Sequence, residues 1–268
     1  MALTIGDGPL SGGSGPTNYE IEGPKHKLYL HAFPRRIRAV FGDETVLDSR
    51  EAMLLDETGL LPRIYVPVGD VRTDLLERTD HSTHCPFKGD ASYWTVRAGD
   101  KEAENAVWAY EDPNSEASWL EGYMSFHFDA MDEWLDEDEP IETHVRDPYH
   151  RVDVRRSSLH VAVTVAGETI AETDRPMVLS ETGIPNRFYI PPQDVRVDLL
   201  ETSETTTHCP YKGTTEYRHA RIGDRLIEDV AWVYPDPFED ALKTKDHLSF
   251  DGDDVEIEVS GEGATATA

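Results

Sequence analysis

The residues best suited to chemistry occur in one short segment that the chain contains twice. Residues 83–89 read Thr-His-Cys-Pro-Phe-Lys-Gly, and residues 207–213 read Thr-His-Cys-Pro-Tyr-Lys-Gly. A lysine beside a glycine can present an ammonium group and backbone N–H groups to a phosphate or a carboxylate. We therefore predict that Lys88 and Lys212 bind an anionic ligand. The alternative is that both are solvated turn residues.

The only two cysteines of the chain lie in these segments and are candidate nucleophiles. A turn could bring the ammonium group of Lys88 close to the sulfur of Cys85, and a nearby cation favours the reactive thiolate. The same argument applies to Cys209. The alternative is that both cysteines are buried and inert, as free cysteines commonly are. Zinc is disfavoured because adjacent His and Cys residues of an extended segment face opposite sides, and no C-x-x-C motif is present.

Other reactive residue types recur in both copies. Arg72 and Asp74 would share one face of a strand, where they form a clamp for an anion or simply pair with each other. Glu57 is a candidate general acid or base if burial raises its pKa, or else it caps the neighbouring turn. Thr83 and Trp94 complete the predicted site, with Trp94 at the rim of a pocket or, as the alternative, part of the core with Trp108 and Tyr110. The corresponding residues of the second copy are Glu181, Arg196, Asp198 and Thr207, with arginine at position 218 in place of the tryptophan.

These repeated residues belong to a duplicated domain. An offset of 124 residues superposes residues 57–113 on 181–237 without a gap, with 28 identities in 57 positions. A period of 124 residues is too long for a solenoid or propeller repeat, which spans roughly 20–50 residues. It is the size of an independent domain with its own core. The sequence therefore predicts two homologous domains in tandem.

Alternation of apolar and polar residues predicts that both domains are mainly β. Two hairpins are expected in each copy, with turns at 42–43, 99–100, 166–167 and 223–224. Residues 70–76 and 194–200 alternate as in strands with one buried face, and 77–82 are predicted to form a polar loop. A short helix is predicted within residues 129–140, with Met131, Trp134 and Leu135 on one face. The two copies are therefore expected to close differently.

The predicted division of the chain follows from these patterns and from composition. It consists of a flexible leader (1–27), a first β domain (28–142), a linker (143–156), a second β domain (157–260) and a tail (261–268). Both domains are expected to consist of antiparallel sheets with little helix.

The charge balance limits the partners of the protein. Fifty-three acidic residues against 25 basic residues give a net charge of −28 and a pI near 4.6. Such a surface resembles that of proteins from salt-loving archaea, where high ionic strength screens self-repulsion, and the alternative is an ordinary acidic protein of a mesophile. Nucleic-acid binding is disfavoured because it needs clustered lysine and arginine. No stretch approaches the roughly 20 apolar residues of a membrane span, and no secretion signal is recognisable. A cytoplasmic protein without nucleic-acid or membrane partners is therefore expected.

The repeated motifs resemble those of the domain-of-unknown-function 427 family. The matching segments are 57–59 (Glu-Thr-Gly), 70–76 (Asp-Val-Arg-Thr-Asp-Leu-Leu), 83–89 and 108–110 (Trp-Ala-Tyr), together with the linker 146–153 (Arg-Asp-Pro-Tyr-His-Arg-Val-Asp). The resemblance covers nearly all of residues 30–260. It implies a tent-like antiparallel β domain of the kind seen in Mss4-like proteins, and a nucleotidyltransferase-type label.

Three functional hypotheses are consistent with the sequence. The first is a pocket for a small anionic molecule in each repeat, with a nucleotide as the candidate ligand and nucleotidyl transfer as the candidate reaction. In it Lys88 and Arg72 bind the anion, Glu57 acts as acid or base, and Cys85 lines the pocket. The second is a non-catalytic binding or assembly module, and the third is a redox or metal site at the cysteines. No particular cofactor or oligomeric state is predicted.

Overall fold

The computed structural model describes Pro16, Asn18 and residues 23–261. Most of the predicted leader, and all of the predicted tail beyond Gly261, lie outside the described residues. The chain divides into two compact units between Asp147 and Pro148. Both units are built from antiparallel strands joined by turns and short 3₁₀ helices, and the described residues contain no α-helix. The prediction of two tandem, mainly β domains with antiparallel sheets is confirmed.

The first unit contains eleven strands among its described residues. They are β1 (Leu28–Ala32), β2 (Ile37–Phe41), β3 (Glu44–Ser49), β4 (Met53–Glu57), β5 (Arg63–Pro67), β6 (Leu76–Cys85), β7 (Gly89–Ala98), β8 (Lys101–Ala109), β9 (Tyr123–Phe126), β10 (Glu133–Asp136) and β11 (Glu139–Ile141). Its 3₁₀ helices are Val68–Asp70, Thr73–Leu75, Ser115–Leu120 and Phe128–Ala130.

The second unit repeats this order with ten strands in its described part. They are β12 (Val152–Arg156), β13 (His160–Val165), β14 (Glu168–Thr173), β15 (Met177–Glu181), β16 (Ile184–Tyr189), β17 (Leu200–Cys209), β18 (Gly213–Ile222), β19 (Arg225–Val233), β20 (Leu248–Phe250) and β21 (Val255–Ser260). Its 3₁₀ helices are Pro192–Asp194, Val197–Leu199 and Glu239–Thr244. Strand β12 lies within the segment that the sequence suggested as a linker.

Each unit has one large sheet and one small sheet. In the first unit the large sheet has the order β1-β4-β5-β9-β8-β7-β6 and the small sheet the order β11-β10-β2-β3. The second unit forms the equivalent sheets β12-β15-β16, β17-β18-β19-β20 and β14-β13-β21. A bridge between Ile190 and Leu248 joins the first two of these, so the large sheet is retained in both repeats.

Alternate residues of the large sheet build two separate clusters, because successive side chains of a strand point to opposite faces. In β4 and β5, Leu54 and Val66 join the main core, which also takes up the small sheet. Their neighbours Leu55 and Tyr65 face the other way into an aromatic cluster, which includes Trp108. The second unit has the same arrangement of a main core and an aromatic cluster. The aromatic side of the large sheet carries the residues discussed below.

The predicted helix within residues 129–140 is wrong. Only Phe128–Ala130 forms a 3₁₀ turn, and β10 and β11 follow it. Strand β10 pairs with β2, and the indole of buried Trp134 stacks on Phe128 and donates a hydrogen bond to its carbonyl oxygen at 2.9 Å. Hydrogen bonding to the backbone N–H and C=O groups of β2 therefore outweighs the helical spacing of the apolar residues in this segment. The second unit closes in the same way, since β21 pairs with β13.

Two further predictions about local structure are wrong. Residues 70–76 are not a strand, because most of them belong to the 3₁₀ helices Val68–Asp70 and Thr73–Leu75. Between these two helices the backbone N–H of Arg72 donates a hydrogen bond to the carbonyl oxygen of Val46. Residues 194–200 are folded likewise. Residues 77–82 are not a loop but part of β6, whose side chains are mostly exposed and therefore lack alternation. A register shift between Arg78 and Ser82 marks a bulge within this strand.

The β2–β3 turn shows how the repeats differ at one glycine. Gly42 has a φ of +58°, and a Cβ atom there would meet the carbonyl oxygen of Ala98 at 2.6 Å. The equivalent residue Ala166 already adopts a φ of +49°. Left-handed backbone costs an alanine about 1–2 kcal/mol relative to its usual conformations.

We therefore expect opposite effects from two matched substitutions. Gly42→Ala should lower the free energy of unfolding by about 2 kcal/mol or more, because strain and overlap combine. Ala166→Gly should raise it by about 0.5 kcal/mol, because strain is relieved against the greater chain entropy of glycine. Urea unfolding followed by tryptophan fluorescence measures both. Equal effects of the two substitutions would contradict the assignment of strain.

Candidate functional site

A buried ion pair connects two of the predicted site residues in each repeat. Glu57 ends β4, Lys88 lies in the tight turn between β6 and β7, and the Lys88 ammonium group bonds to Oε2 of Glu57. Lys88 and Glu57 are only 7% and 5% exposed. In the second repeat Lys212 bonds to Oε2 of Glu181 in the same way. A buried charge needs such a partner because an isolated one loses its hydration without compensation.

A histidine that sequence reasoning missed completes each ion pair. His26 Nε2 donates to the second oxygen of Glu57 at 2.8 Å, and His150 Nε2 does the same to Glu181 at 2.8 Å. The His26 ring stacks on Phe87 at a centroid distance of 3.9 Å, directly beside Lys88. The regular spacing was a usable signal, because histidine, glutamate and lysine follow one another at intervals of 31 residues in both repeats.

The environment sets the charge state of the second-repeat carboxylate. Burial raises the pKa of Glu181, but the hydrogen bond from His150 and the charge of Lys212 outweigh burial, so the net pKa lies below its ordinary value. Glu181 is therefore an anion at neutral pH. The pair Lys212–Glu181 contributes little net charge to its surroundings, although the ammonium group keeps N–H donors that can be shared with a ligand.

Aromatic side chains form a wall beside each ion pair. Trp108 Nε1 donates to the hydroxyl oxygen of Tyr65 at 3.3 Å, and the Lys88 ammonium group lies 5.7 Å from the ring centroid of Tyr110. Trp232 and Tyr189 make the equivalent hydrogen bond at 3.3 Å. Burial raises the pKa of Tyr65 and of Tyr110, so these phenols stay neutral hydrogen-bonding groups at physiological pH. The same holds for Tyr189 and Tyr234.

An arginine stands beside the aromatic wall in both repeats, with different neighbours. In the second repeat Arg187 lies 5.3 Å above the ring centroid of Trp232 and pairs with Asp251 at 2.8 Å. In the first repeat His127 takes the position of this aspartate, and its ring lies 4.7 Å from that of Trp108. Burial lowers the pKa of His127, and the charge of Arg63 acts in the same direction against the opposing effect of Asp129. Among the described residues, Arg63 has no ion-pair partner.

A cavity of about 620 Å³ opens onto this arrangement in the second repeat. Its size is within the range of small-molecule pockets, about 300–1,000 Å³. The lining combines the ion pair, the aromatic wall and several acidic residues. The side chains that bear on function are Glu181, Arg187, Tyr189, Thr207, Lys212, Tyr217, Asp229, Trp232, Tyr234, Asp251 and Asp253.

The predicted arginine clamps lie apart from the ion pairs. Arg72 is 48% exposed and pairs with Asp74 at 2.7 Å. Arg196 and Asp198 pair with each other at 3.3 Å and do not line the second-repeat cavity. Mutual pairing, the alternative considered from the sequence, occurs in both repeats, and each arginine also pairs with a glutamate, Arg72 with Glu44 at 3.5 Å and Arg196 with Glu168 at 3.0 Å.

The remaining predicted residues are placed as follows. Thr83 hydrogen-bonds to the hydroxyl of Tyr93 at 2.9 Å. Cys85 and Cys209 are half-buried free thiols that pack against the aromatic clusters. Trp94 packs against the main core beneath the guanidinium of Arg78 at 5.5 Å.

Among the described residues, no three or more His, Cys, Asp or Glu side chains are grouped to hold a metal ion. In the part of the chain that the structure describes, no helix has the length and apolar character to cross a membrane.

Comparison with known families identifies the repeated unit. Residues 29–137 and 153–261 each match the family described as Domain of unknown function (DUF427). The protein belongs to this family. The two DUF427 segments start and end 124 residues apart, which is the offset of the internal repeat. Comparison with curated proteins gives no match. The site histidines His26 and His150 each lie three residues before a DUF427 segment.

We expect the buried pair to behave as a unit in this DUF427 protein. Lys212→Met should lower the free energy of unfolding by about 3–5 kcal/mol, because it leaves the Glu181 charge buried without its cation. The double change Lys212→Met/Glu181→Leu should cost at least about 2 kcal/mol less than Lys212→Met alone. Urea unfolding measures the coupling. Purely additive effects would show that the two side chains do not depend on each other.

The lowered pKa of Glu181 predicts a pH dependence. A carboxyl group with a lowered folded-state pKa contributes stability that is present above its ordinary pKa, 4.5, and is lost as the pH falls through the folded-state pKa. The difference in unfolding free energy between the wild type and Glu181→Gln should therefore be constant near neutral pH and shrink below about pH 4.5. Urea unfolding at a series of pH values measures it. A difference that grows on acidification would contradict the sign.

Proposed function

We propose that the protein binds a small anionic molecule of the nucleotide class in its first repeat, and that Arg63 supplies the positive charge. The observation that carries the proposal is the exposed guanidinium of Arg63, without an ion-pair partner among the described residues, on the face of β5 that also carries Tyr65 of the Tyr–Trp wall. In a chain of net charge −28, other exposed arginines of this unit such as Arg97 and Arg72 pair with carboxylates. Arginine suits phosphate and carboxylate because its N–H groups match their oxygens two at a time.

The other groups of the site would orient this ligand. Lys88 stays paired with Glu57, so it offers N–H donors rather than net charge. The rings of Trp108 and His127 can contact a planar base, since stacking on aromatic side chains is the usual way to hold an unpaired base. The neutral phenols of Tyr65 and Tyr110 complete the wall behind the ligand without repelling its charge. In this proposal Arg72 and Asp74 do not contact the ligand.

Nucleotidyl transfer is the second candidate, and the buried glutamate favours it. Glu57 could accept the proton of an attacking hydroxyl while Lys88 holds the phosphate oxygens. The α-phosphorus would then exchange its bond to pyrophosphate for a bond to the hydroxyl oxygen. Release of pyrophosphate from nucleoside triphosphates distinguishes this reaction from simple binding. Binding without turnover would favour the non-catalytic binding or assembly module.

We expect Arg63→Gln to weaken binding of adenosine monophosphate about tenfold, because it removes the charge that meets the phosphate. Adenosine, which lacks the phosphate, should bind with the same affinity to both forms. Isothermal titration at a fixed potassium chloride concentration measures the four affinities. Arg50→Gln is the matched control, since Arg50 is an exposed arginine of the same unit, 3.6 Å from Glu137. An unchanged affinity for adenosine monophosphate in Arg63→Gln would remove Arg63 from the site.

A further inference from the structure

We propose that the cavity of the second repeat binds an organic cation carrying an ammonium group, so that the two repeats take ligands of opposite charge. The inference rests on the proposal above that the aromatic side of the large sheet carries a ligand site in the first repeat. It goes further in assigning a second ligand class to the second site. Three observations on the cavity support it: its surplus of carboxylates, its aromatic wall, and an arginine that already occupies part of it.

The lining of the cavity carries more negative than positive charge. Lys212 and Arg187 are balanced by Glu181 and Asp251 through the ion pairs described above. Two carboxylates then remain without an opposite charge of their own on the lining, namely those of Asp229 and Asp253. The surplus makes the cavity attractive to cations and repulsive to phosphates.

The first repeat lacks most of this surplus. The offset of 124 residues places Asn105 opposite Asp229 and His127 opposite Asp251, while Asp129 matches Asp253. Two of the three acidic positions are therefore uncharged or basic side chains in the first repeat. Both repeats have an arginine at this position, but the ion pairing of the arginine differs. Arg63 has no ion-pair partner among the described residues, whereas its counterpart Arg187 pairs with Asp251.

One carboxylate of the cavity has an oxygen without a hydrogen bond. Asp229 accepts a bond from the Thr205 hydroxyl at 2.8 Å through Oδ2. Its other oxygen, Oδ1, is buried and has no hydrogen-bond partner among the described residues. Nδ1 of His219 lies 3.4 Å from this oxygen and accepts the Asp229 backbone N–H at 3.0 Å. A carboxylate oxygen without a hydrogen bond adds to the negative potential at this end of the cavity.

The aromatic wall is the second requirement for an ammonium ligand. Tyr217, Trp232 and Tyr234 line the cavity. Faces of aromatic rings carry negative potential, and quaternary ammonium groups are held in proteins by such rings together with carboxylates. The raised pKa of Tyr234, caused mainly by burial, keeps its phenol neutral.

The protein already holds an organic cation in this manner. The Arg187 guanidinium lies over the Trp232 ring at 5.3 Å while a carboxylate oxygen of Asp251 lies 2.8 Å away. Ring and carboxylate thus have the relative placement that an ammonium ligand needs. The cavity, at about 620 Å³, offers room beside this arginine for a ligand of several heavy atoms near Asp253, which is exposed.

The test compares choline with its uncharged carbon isostere, 3,3-dimethylbutan-1-ol, by isothermal titration at a fixed potassium chloride concentration. We expect choline to bind at least tenfold more tightly than the isostere, because only choline carries the positive charge. Asp253→Asn should weaken choline binding about fivefold. Asp129→Asn is the matched control in the first repeat and should leave the affinity for choline unchanged. Asp253 is exposed, so its substitution leaves the buried core intact.

Three results would overturn the inference: no choline binding, equal affinities for choline and the isostere, or equal effects of Asp253→Asn and Asp129→Asn. The two proposals fail separately. If choline still binds to Arg63→Gln, and the affinity for adenosine monophosphate is unchanged by this substitution, only the first-repeat proposal is overturned. Adenosine monophosphate binding that depends on Arg63, without choline binding, would remove the second-repeat cation site alone.

Discussion

The buried lysine–glutamate pair is the interaction on which the architecture of each site depends. It joins the end of β4 to the turn before β7, two parts of the large sheet that are not hydrogen-bonded neighbours. Because neither charge is tolerated alone in a buried position, the two chain segments have to meet. The histidine bound to the same carboxylate brings the residues before β1 to the same point. The aromatic wall is thereby held against the ion pair and its histidine.

The repeats differ at the rim of the site and not in the ion pair and its histidine. The ion pair, its histidine and the Tyr–Trp hydrogen bond are the same in both units. The differences lie around the arginine of β5 and its counterpart in β16, where His127 is replaced by Asp251. A duplicated domain can change its ligand in this way without changing its fold, since function resides in local sites.

Much of the architecture could be predicted from the sequence, and the misses have physical causes. The duplication and the hairpins followed from identities and alternation. Lys88 and Glu57 were singled out as well, but as ligand-binding and acid–base residues and not as partners of each other. The helix expected around Trp134 failed because pairing with β2 decides that segment, and such pairing between distant parts of the chain is invisible to periodicity. Strand β6 has no buried face to produce alternation. His26 was overlooked because it follows a glycine- and proline-rich region. The sequence also does not reveal that Arg63 lacks an ion-pair partner among the described residues.

The position of the two histidines has a consequence for where a working repeat begins. Each lies upstream of the first strand, three residues before the segment that matches the family. The peptide that joins the repeats therefore ends with a side chain of the second site, in ring contact with Tyr211. A fragment trimmed to the family boundaries would keep every strand and lose one hydrogen bond to each buried carboxylate. Insertions or deletions just before β12 would displace the His150 side chain from Glu181, so this part of the junction is constrained in length as well as in composition.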